Sequence, residues 1–190
     1  MKTKFYTGAG DGGTSKLGKC ELRKDDVFFE VLGGVDELSA WLGLCRVEAD
    51  KIDKRIKMLD RVECSLKTVQ EHLFVVQAQI ASLGMGLKPK VKISKKHTKY
   101  LETEIKKIDE TIPAIKAFII PGGNELIARL DVARTLARKL ERMWVTFSKK
   151  KKIDSDAVQY INRLSSFLFA LARLVQYRSK IKMEHPKYPQ

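Results

Sequence analysis

Long stretches of this chain carry apolar side chains at steps of three and four residues, and none contains an internal proline. Such spacing aligns one face of an α-helix and predicts amphipathic helices that pack together. Gly84, Gly86 and Pro89 end the longest stretch, because glycine and proline interrupt helices. Five helices are predicted, at about residues 35–48, 54–83, 95–108, 124–147 and 155–177. No segment alternates convincingly at the period of two that marks a strand.

These segments predict an all-α fold, a five-helix bundle of the ferritin-like, up-and-down type. A length of 190 residues suits one domain with a sizeable core. We divide the predicted domain into a glycine-rich N-terminal arm at residues 1–34, a helical bundle at 35–177 and a basic tail at 178–190.

The composition is that of a globular protein, with 44% hydrophobic and 32% charged residues. No apolar run approaches ~20 residues and the first 30 lack an apolar signal-peptide core, so we expect neither a membrane span nor secretion. Cys20, Cys45 and Cys64 are odd in number and lack paired metal-ligand spacing. They predict reduced thiols in the cytoplasm and no metal centre built from side chains.

The formal net charge of +14 leaves a nucleic-acid partner open. Its lysine-rich runs fall in predicted loops and ends, at residues 88–99, 149–152 and 178–187. Most lysine-rich runs of this kind are solvent-exposed faces with no ligand. A basic groove that binds a polyphosphate ligand would also account for some of the positive charge. A nucleic-acid-binding protein would instead show a continuous basic surface and salt-sensitive binding to duplexes.

Glycine dominates the N-terminal segment from Tyr6 to Lys16. Glycines allow backbone N–H groups to approach a ligand closely, and the hydroxyls of Thr7, Thr14 and Ser15 add further donors, as in loops that bind phosphate. The spacing is not that of a P-loop. A disordered arm therefore remains an alternative on composition alone.

The fourth predicted helix has a second stripe, formed by Arg134, Arg138 and Arg142 at successive four-residue steps. Guanidinium groups suit multidentate binding of phosphate or carboxylate oxygens, and a solvated face is the alternative. Asp36 is a candidate acid near the start of the first helix, where the helix dipole alone would favour it. Phe118 precedes a Pro-Gly-Gly turn and would ordinarily be assigned to the core.

In order along the chain, five blocks resemble the PduO-type ATP:cob(I)alamin adenosyltransferases, from Tyr6 to about Val175. Each block is modest alone, and their shared order and separations make the resemblance specific. The blocks are the Tyr6–Ser15 arm, Lys24-Asp25-Asp26 with Val35-Asp36-Glu37-Leu38, Phe118 to Gly123, Ala133 to Arg142, and Asn162-Arg163-Leu164-Ser165.

The resemblance implies a homotrimer with active sites between neighbouring subunits, which transfers the 5′-deoxyadenosyl group of ATP to cob(I)alamin. It implies Mg²⁺ held chiefly by ATP phosphates, a reductase and a B12-dependent enzyme as partners, and no nucleic acid or membrane. Arg134 should pair with Asp36 of the adjacent subunit, and Phe118 should lie under the corrin ring, so these three residues are the implied catalytic set. The implied ATP-binding residues are Thr7, Gly8, Ala9, Gly10, Ser15, Lys16, Lys24, Arg138, Glu141, Arg142 and Asn162.

Several positions depart from the family's pattern. Gly8 and Gly12 stand where basic residues are usual, and Ala9 replaces a threonine. These differences predict a weaker phosphate contact from the arm, partly compensated by Lys16. A catalytically weak ATP- and cobalamin-binding carrier or sensor with the same fold is the alternative, and detection of adenosylcobalamin would exclude it.

Overall fold

The structure is a computed structural model and describes residues 5–18, 20–53, 60–151 and 153–188. In those residues it contains one antiparallel hairpin and five helices. The predicted start of the second helix, at residues 54–59, lies outside the described residues. The elements are β1 Thr14–Leu17, β2 Cys20–Arg23, α1 Val27–Asp53, α2 Asp60–Gly84, α3 Lys95–Asp109, α4 Glu125–Lys150 and α5 Ser155–Arg178.

Side chains at three- and four-residue steps form one buried core between the helices, as the sequence predicts. In α1 the buried stripe runs through Val31, Val35, Leu38 and Leu42, and in α5 Leu164 and Leu168 are fully buried. The helices pack in the pairs α1–α2, α1–α4, α4–α5 and α3–α5. The five-helix, all-α fold is therefore confirmed.

The helix starts follow local capping. Asn124 caps α4 by accepting a 2.9 Å hydrogen bond from the Ile127 amide. Asp154 caps α5 by accepting from the Asp156 amide at 3.1 Å. A side-chain oxygen at these positions satisfies an amide that has no partner within the helix.

Two predictions about the N-terminal region are wrong. The first helix begins at Val27 rather than Val35, with the Asp26 carboxylate accepting from the Phe28 amide at 2.8 Å. The arm also contains two strands, β1 and β2. They form an antiparallel hairpin in which Ser15 pairs with Leu22. Leu22 is partly buried against the core, so this part of the arm folds onto the bundle.

Candidate functional site

A strip of polar side chains follows the interface between α4 and α5. These helices are consecutive and antiparallel, so residues near the end of α4 lie opposite residues near the start of α5. At one end of the strip, Asn162 donates a 2.5 Å hydrogen bond to Glu141. At the other end, Arg173 donates a 2.8 Å hydrogen bond to Asp131.

A cavity of about 360 Å³ lies between these two ends. Arg134 and Arg138 line it from α4, and Ser165 and Ser166 contribute hydroxyls from α5. Its remaining walls are largely apolar, with Ile105, Ile112, Ile115 and Phe169 among the lining residues, and Asp109 adds one carboxylate. Apolar walls with a few convergent donors are typical of a site for a small organic anion.

The three arginines of the predicted row differ in their environments. Arg134 is largely buried, with its Nε 3.7 Å from Asp131 Oδ1 and without a hydrogen-bond partner. Arg138 is exposed, and no hydrogen bond or ion pair of its guanidinium is found among the residues the structure describes. Arg142 donates to the Arg138 carbonyl at 3.0 Å. Arg134 and Arg138 therefore present donor groups to a ligand in the cavity.

The arm forms a second group of candidate residues. Short turns shape it, with the Asp11 amide donating to the Gly8 carbonyl and the Ala9 amide to the Thr7 hydroxyl. The Lys24 ammonium lies against Gly10, since a Cβ added at Gly10 would be 2.9 Å from Lys24 Nζ. These contacts bring together the arm residues Thr7, Gly8, Ala9, Gly10 and Lys24.

Ser15 and Lys16 lie on strand β1 of the hairpin. Lys16 faces Glu21 across the hairpin at 3.9 Å, and both side chains remain mostly exposed. Within the described part of the chain, no hydrogen bond or ion pair joins the arm residues to Arg138, Glu141, Arg142 or Asn162. The structure thus gives two separate groups of candidate ATP residues in one subunit.

Asp36 lies in a third place, on a groove between α1 and α2 of about 600 Å³. Its carboxylate accepts from Gln77 Nε2 at 3.5 Å. The groove is otherwise apolar, and its Phe74 side chain is 68% exposed. Asp36 and Arg134 line different cavities and do not contact each other in the subunit.

Phe118 lies in the loop between α3 and α4 and is 80% exposed. The assignment of this ring to the core, the ordinary alternative, is therefore wrong. The backbone around it is held by the C-terminal segment, because His185 Nδ1 lies 2.8 Å from the Phe118 carbonyl oxygen. Sequence reasoning gave His185 no role, and a lone histidine in a basic tail offers no local signal for one.

Sequence reasoning also missed the buried pair between Asp131 and Arg173. A signal was present, because Arg173 is a single cation within a strongly apolar stretch of α5. Fully buried arginines are rare unless they are paired.

In the ranges that the structure describes, no group of three or more His, Cys, Asp or Glu side chains is arranged to hold a metal ion. No helix of the described residues is both long and apolar enough to cross a membrane.

Comparisons with known proteins agree on one family. The family model for cobalamin adenosyltransferase matches residues 5–175. A corrinoid adenosyltransferase of Citrobacter freundii is 37% identical over 173 residues, covering 90% of this chain and 94% of the relative. A corrinoid adenosyltransferase of Bacillus subtilis (strain 168) is 33% identical over 178 residues, covering 94% of this chain and 89% of the relative.

Solved structures show the same similarity. A variant PduO-type ATP:corrinoid adenosyltransferase from Lactobacillus reuteri, complexed with cobalamin and ATP, superimposes with a TM-score of 0.85. The two sequences are 31% identical, and the match covers 97% of this chain and all of the other. Another variant of that protein, complexed with ATP, gives a TM-score of 0.83 at 30% identity over 96% of this chain and all of that one.

Proposed function

This chain belongs to the cobalamin adenosyltransferase family, and from that premise we propose that it transfers the 5′-deoxyadenosyl group of ATP to the cobalt of a reduced corrinoid. The observation that carries the proposal is the α4–α5 strip, where Arg134 and Arg138 face a cavity beside the Glu141–Asn162 pair. Relatives named for this activity and a structural neighbour complexed with cobalamin and ATP support the substrate assignment.

The proposed reaction is a nucleophilic substitution. Cobalt(I) donates an electron pair to the 5′ carbon of ATP, and the carbon–oxygen bond breaks. Triphosphate leaves with the bonding electrons, and the cobalt becomes cobalt(III) bound to carbon. Cobalt(I) is already a strong nucleophile, so the step needs no histidine or cysteine as a general base.

Arginines on the strip would act on the leaving group. Negative charge gathers on triphosphate as the bond breaks, and preplaced cations stabilise that charge. Arg138 is exposed at the cavity and Arg134 lines its wall, so both are suited to this role. The turns at Thr7–Gly10 and the Lys24 ammonium would contact the other side of the nucleotide. We assign Mg²⁺ to the ATP phosphate oxygens, because magnesium commonly binds through phosphates and water.

The family resemblance implies a homotrimer. Because no hydrogen bond or ion pair joins the arm, Asp36 and the arginine strip within the described part of one subunit, we infer that each site combines two chains. In this arrangement Asp36 of one subunit contacts Arg134 of the next. The apolar groove around Asp36, with exposed Phe74, supplies a surface for that contact. On the other side, the Arg134 side chain is 26% exposed and lines the cavity wall.

A mixing experiment tests the shared site. Asp36→Ala and Arg134→Ala proteins should each be inactive alone. Mixed trimers should regain activity, since one interface type then has an intact Asp36 and an intact Arg134. Sedimentation should show trimers for each variant and for the mixture. Activity of an isolated monomer, or failure of the mixture to recover, would contradict the shared site.

A second experiment tests the reaction itself. The purified protein is incubated without oxygen with ATP, Mg²⁺ and chemically generated cob(I)alamin. We expect adenosylcobalamin and triphosphate in equal amounts, measured by mass spectrometry and phosphate analysis. Binding of both substrates without product would favour the carrier or sensor.

We also infer a cytoplasmic location, supported by the absence of a disulfide among Cys20, Cys45 and Cys64, which are free thiols.

A further inference from the structure

The C-terminal segment (residues 179–188) reverses direction directly after α5. Lys180 adopts a left-handed backbone conformation with a φ of 55°. The Ile181 amide then donates to the Gln176 carbonyl at 3.1 Å. This turn sends the following residues back along the bundle toward the loop that carries Phe118.

Two hydrogen bonds fix that loop to the C-terminal segment. The Ile120 amide donates to the Glu184 carbonyl at 2.8 Å. The His185 imidazole donates to the Phe118 carbonyl, with 2.8 Å between Nδ1 and oxygen. A carbonyl oxygen only accepts, so Nδ1 carries the proton in this bond. Both the neutral Nδ1-protonated tautomer and the imidazolium can donate it.

The C-terminal segment is itself joined to the interior of the bundle. Gln176 Nε2 donates to the Lys182 carbonyl at 3.4 Å, and Gln176 Oε1 accepts from Arg173 at 2.7 Å. Arg173 is paired with Asp131, next to Arg134. A continuous set of contacts therefore connects the arginine strip to the backbone beside Phe118.

The Phe118 ring has little packing of its own, since 80% of the residue is exposed. Its position consequently depends on the backbone that carries it. We propose that His185 is a positioning residue for Phe118, which fixes the loop backbone so that the ring is held at the corrinoid. The proposal rests on the proposed function for the chemistry, while the attachment of the loop can be measured without it.

A pair of substitutions separates the hydrogen bond from other roles of the side chain. His185→Ala removes the donor, whereas His185→Asn places an amide N–H near the position of imidazole Nδ1. Lys187→Ala is the matched control, because this exposed side chain makes no hydrogen bond or ion pair in the described part of the chain.

Hydrogen exchange at the Ile120 amide measures the attachment directly. We expect His185→Ala to raise its exchange rate about tenfold, with near wild-type rates in the asparagine variant and the control. Unchanged exchange in His185→Ala would overturn the attachment. The melting temperature and ATP affinity should stay at wild-type values in all three variants.

Activity measures the consequence for the reaction. His185→Ala should lose about tenfold in the rate from cob(II)alamin with a reductase, lose less from preformed cob(I)alamin, and recover in His185→Asn. Raised exchange with unchanged rates would overturn the positioning role. If the wild-type protein makes no product from either cobalamin, the proposed function fails and the positioning role with it. The exchange data would still decide whether His185 holds the loop.

Discussion

Asp131 binds two arginines at once, with one carboxylate oxygen 2.8 Å from Arg173 Nη2 and the other 3.7 Å from Arg134 Nε. Arg173 and Asp131 are both buried, and their pair crosses the α4–α5 interface. Arg134 lies at the edge of the cavity that we assign to ATP. The buried pair thus supports the orientation of a cation in the proposed active site.

Asp131→Asn should destabilise the protein strongly. Without the carboxylate, Arg173 becomes a buried charge lacking its partner, which costs about 3–5 kcal/mol. Denaturant unfolding at matched protein concentration measures the loss. Glu37→Gln is the control, because its ion pair with Lys139 is about half exposed and should contribute only ~0–1 kcal/mol. Similar small losses of unfolding free energy in both variants would mean that the buried pair contributes no more to stability than the exposed one.

Arg138→Ala should weaken ATP binding or slow transfer far more than Arg129→Ala. The Arg138 guanidinium faces the cavity, and a charge-assisted hydrogen bond to phosphate contributes about 1.5–3 kcal/mol, or about 10- to 150-fold in affinity. Arg129 instead pairs with Glu125 on the same helix. Titration calorimetry and turnover measure the two variants. Equal effects would identify the arginine row as a solvated face.

The sequence predicts the bundle well because its helices are long and their apolar steps are regular. Each of the five helices is found, and α4 and α5 begin within a residue of the expected positions. The sequence pattern places the start of α1 eight residues too late, because Gly33 and Gly34 interrupt it. Gly34 lies directly against α4, where an added Cβ would displace the flexible end of the Met143 side chain. Tertiary packing therefore overrides the helix-breaking tendency of this glycine.

The candidate site is only partly predictable from sequence. Arg134 and Arg138 stand out because their four-residue steps place them on one helix face. The bond between Asn162 and Glu141 depends on the antiparallel packing of two helices, which no local pattern records. The attachment of His185 to the Phe118 loop joins segments 67 residues apart, and only the folded chain reveals it.

Gly12→Lys should tighten ATP binding if the arm wraps the triphosphate. A Cβ at Gly12 meets no atom within 4 Å and its φ is not in the left-handed region, so a side chain fits there. An exposed ammonium near phosphate should contribute up to ~1 kcal/mol, or about fivefold in affinity. Gly13→Lys is the control, because the φ of +77° at Gly13 strains any side chain. Unchanged ATP affinity in Gly12→Lys would mean that the arm does not wrap the triphosphate at this position.

His72 should make stability depend on pH. Its Nδ1 lies 3.2 Å from the Tyr160 hydroxyl, and its ring packs edge to face on His97. Burial, and then the nearby His97, lower the pKa of His72 from 6.5 to about 4. Between these values the unfolded chain binds a proton that the folded chain does not, so stability falls as the pH falls from about 6.5 to 4.

His72→Gln removes this titration while retaining a polar side chain. The difference in unfolding free energy between wild type and variant should be constant above about pH 7 and should change between pH 6.5 and 4. Comparing the two proteins cancels the titration of carboxylates in the same range. A difference that is independent of pH would show that His72 stays accessible to protons in the folded state.

Phe118→Ala should separate a corrinoid-binding ring from a structural one. Phe118 is 80% exposed, whereas Phe28 is 2% exposed within the core. Phe28→Ala should therefore cost about 3–5 kcal/mol of stability, while Phe118→Ala should stay within about 0.5 kcal/mol of wild type. Thermal and denaturant unfolding of the two variants provide the first comparison.

The second comparison concerns cobalt. Under the proposed function, the Phe118 ring keeps water and the lower axial ligand off the metal, which favours reduction of cobalt(II) to cobalt(I). Phe118→Ala should lose most activity with cob(II)alamin and a reductase and should lose less with preformed cob(I)alamin. ATP affinity should stay unchanged, because the ring lies outside the arginine strip. Equal loss from both forms of cobalamin would mean that Phe118 does not assist reduction, and a large drop in melting temperature would return it to a structural role.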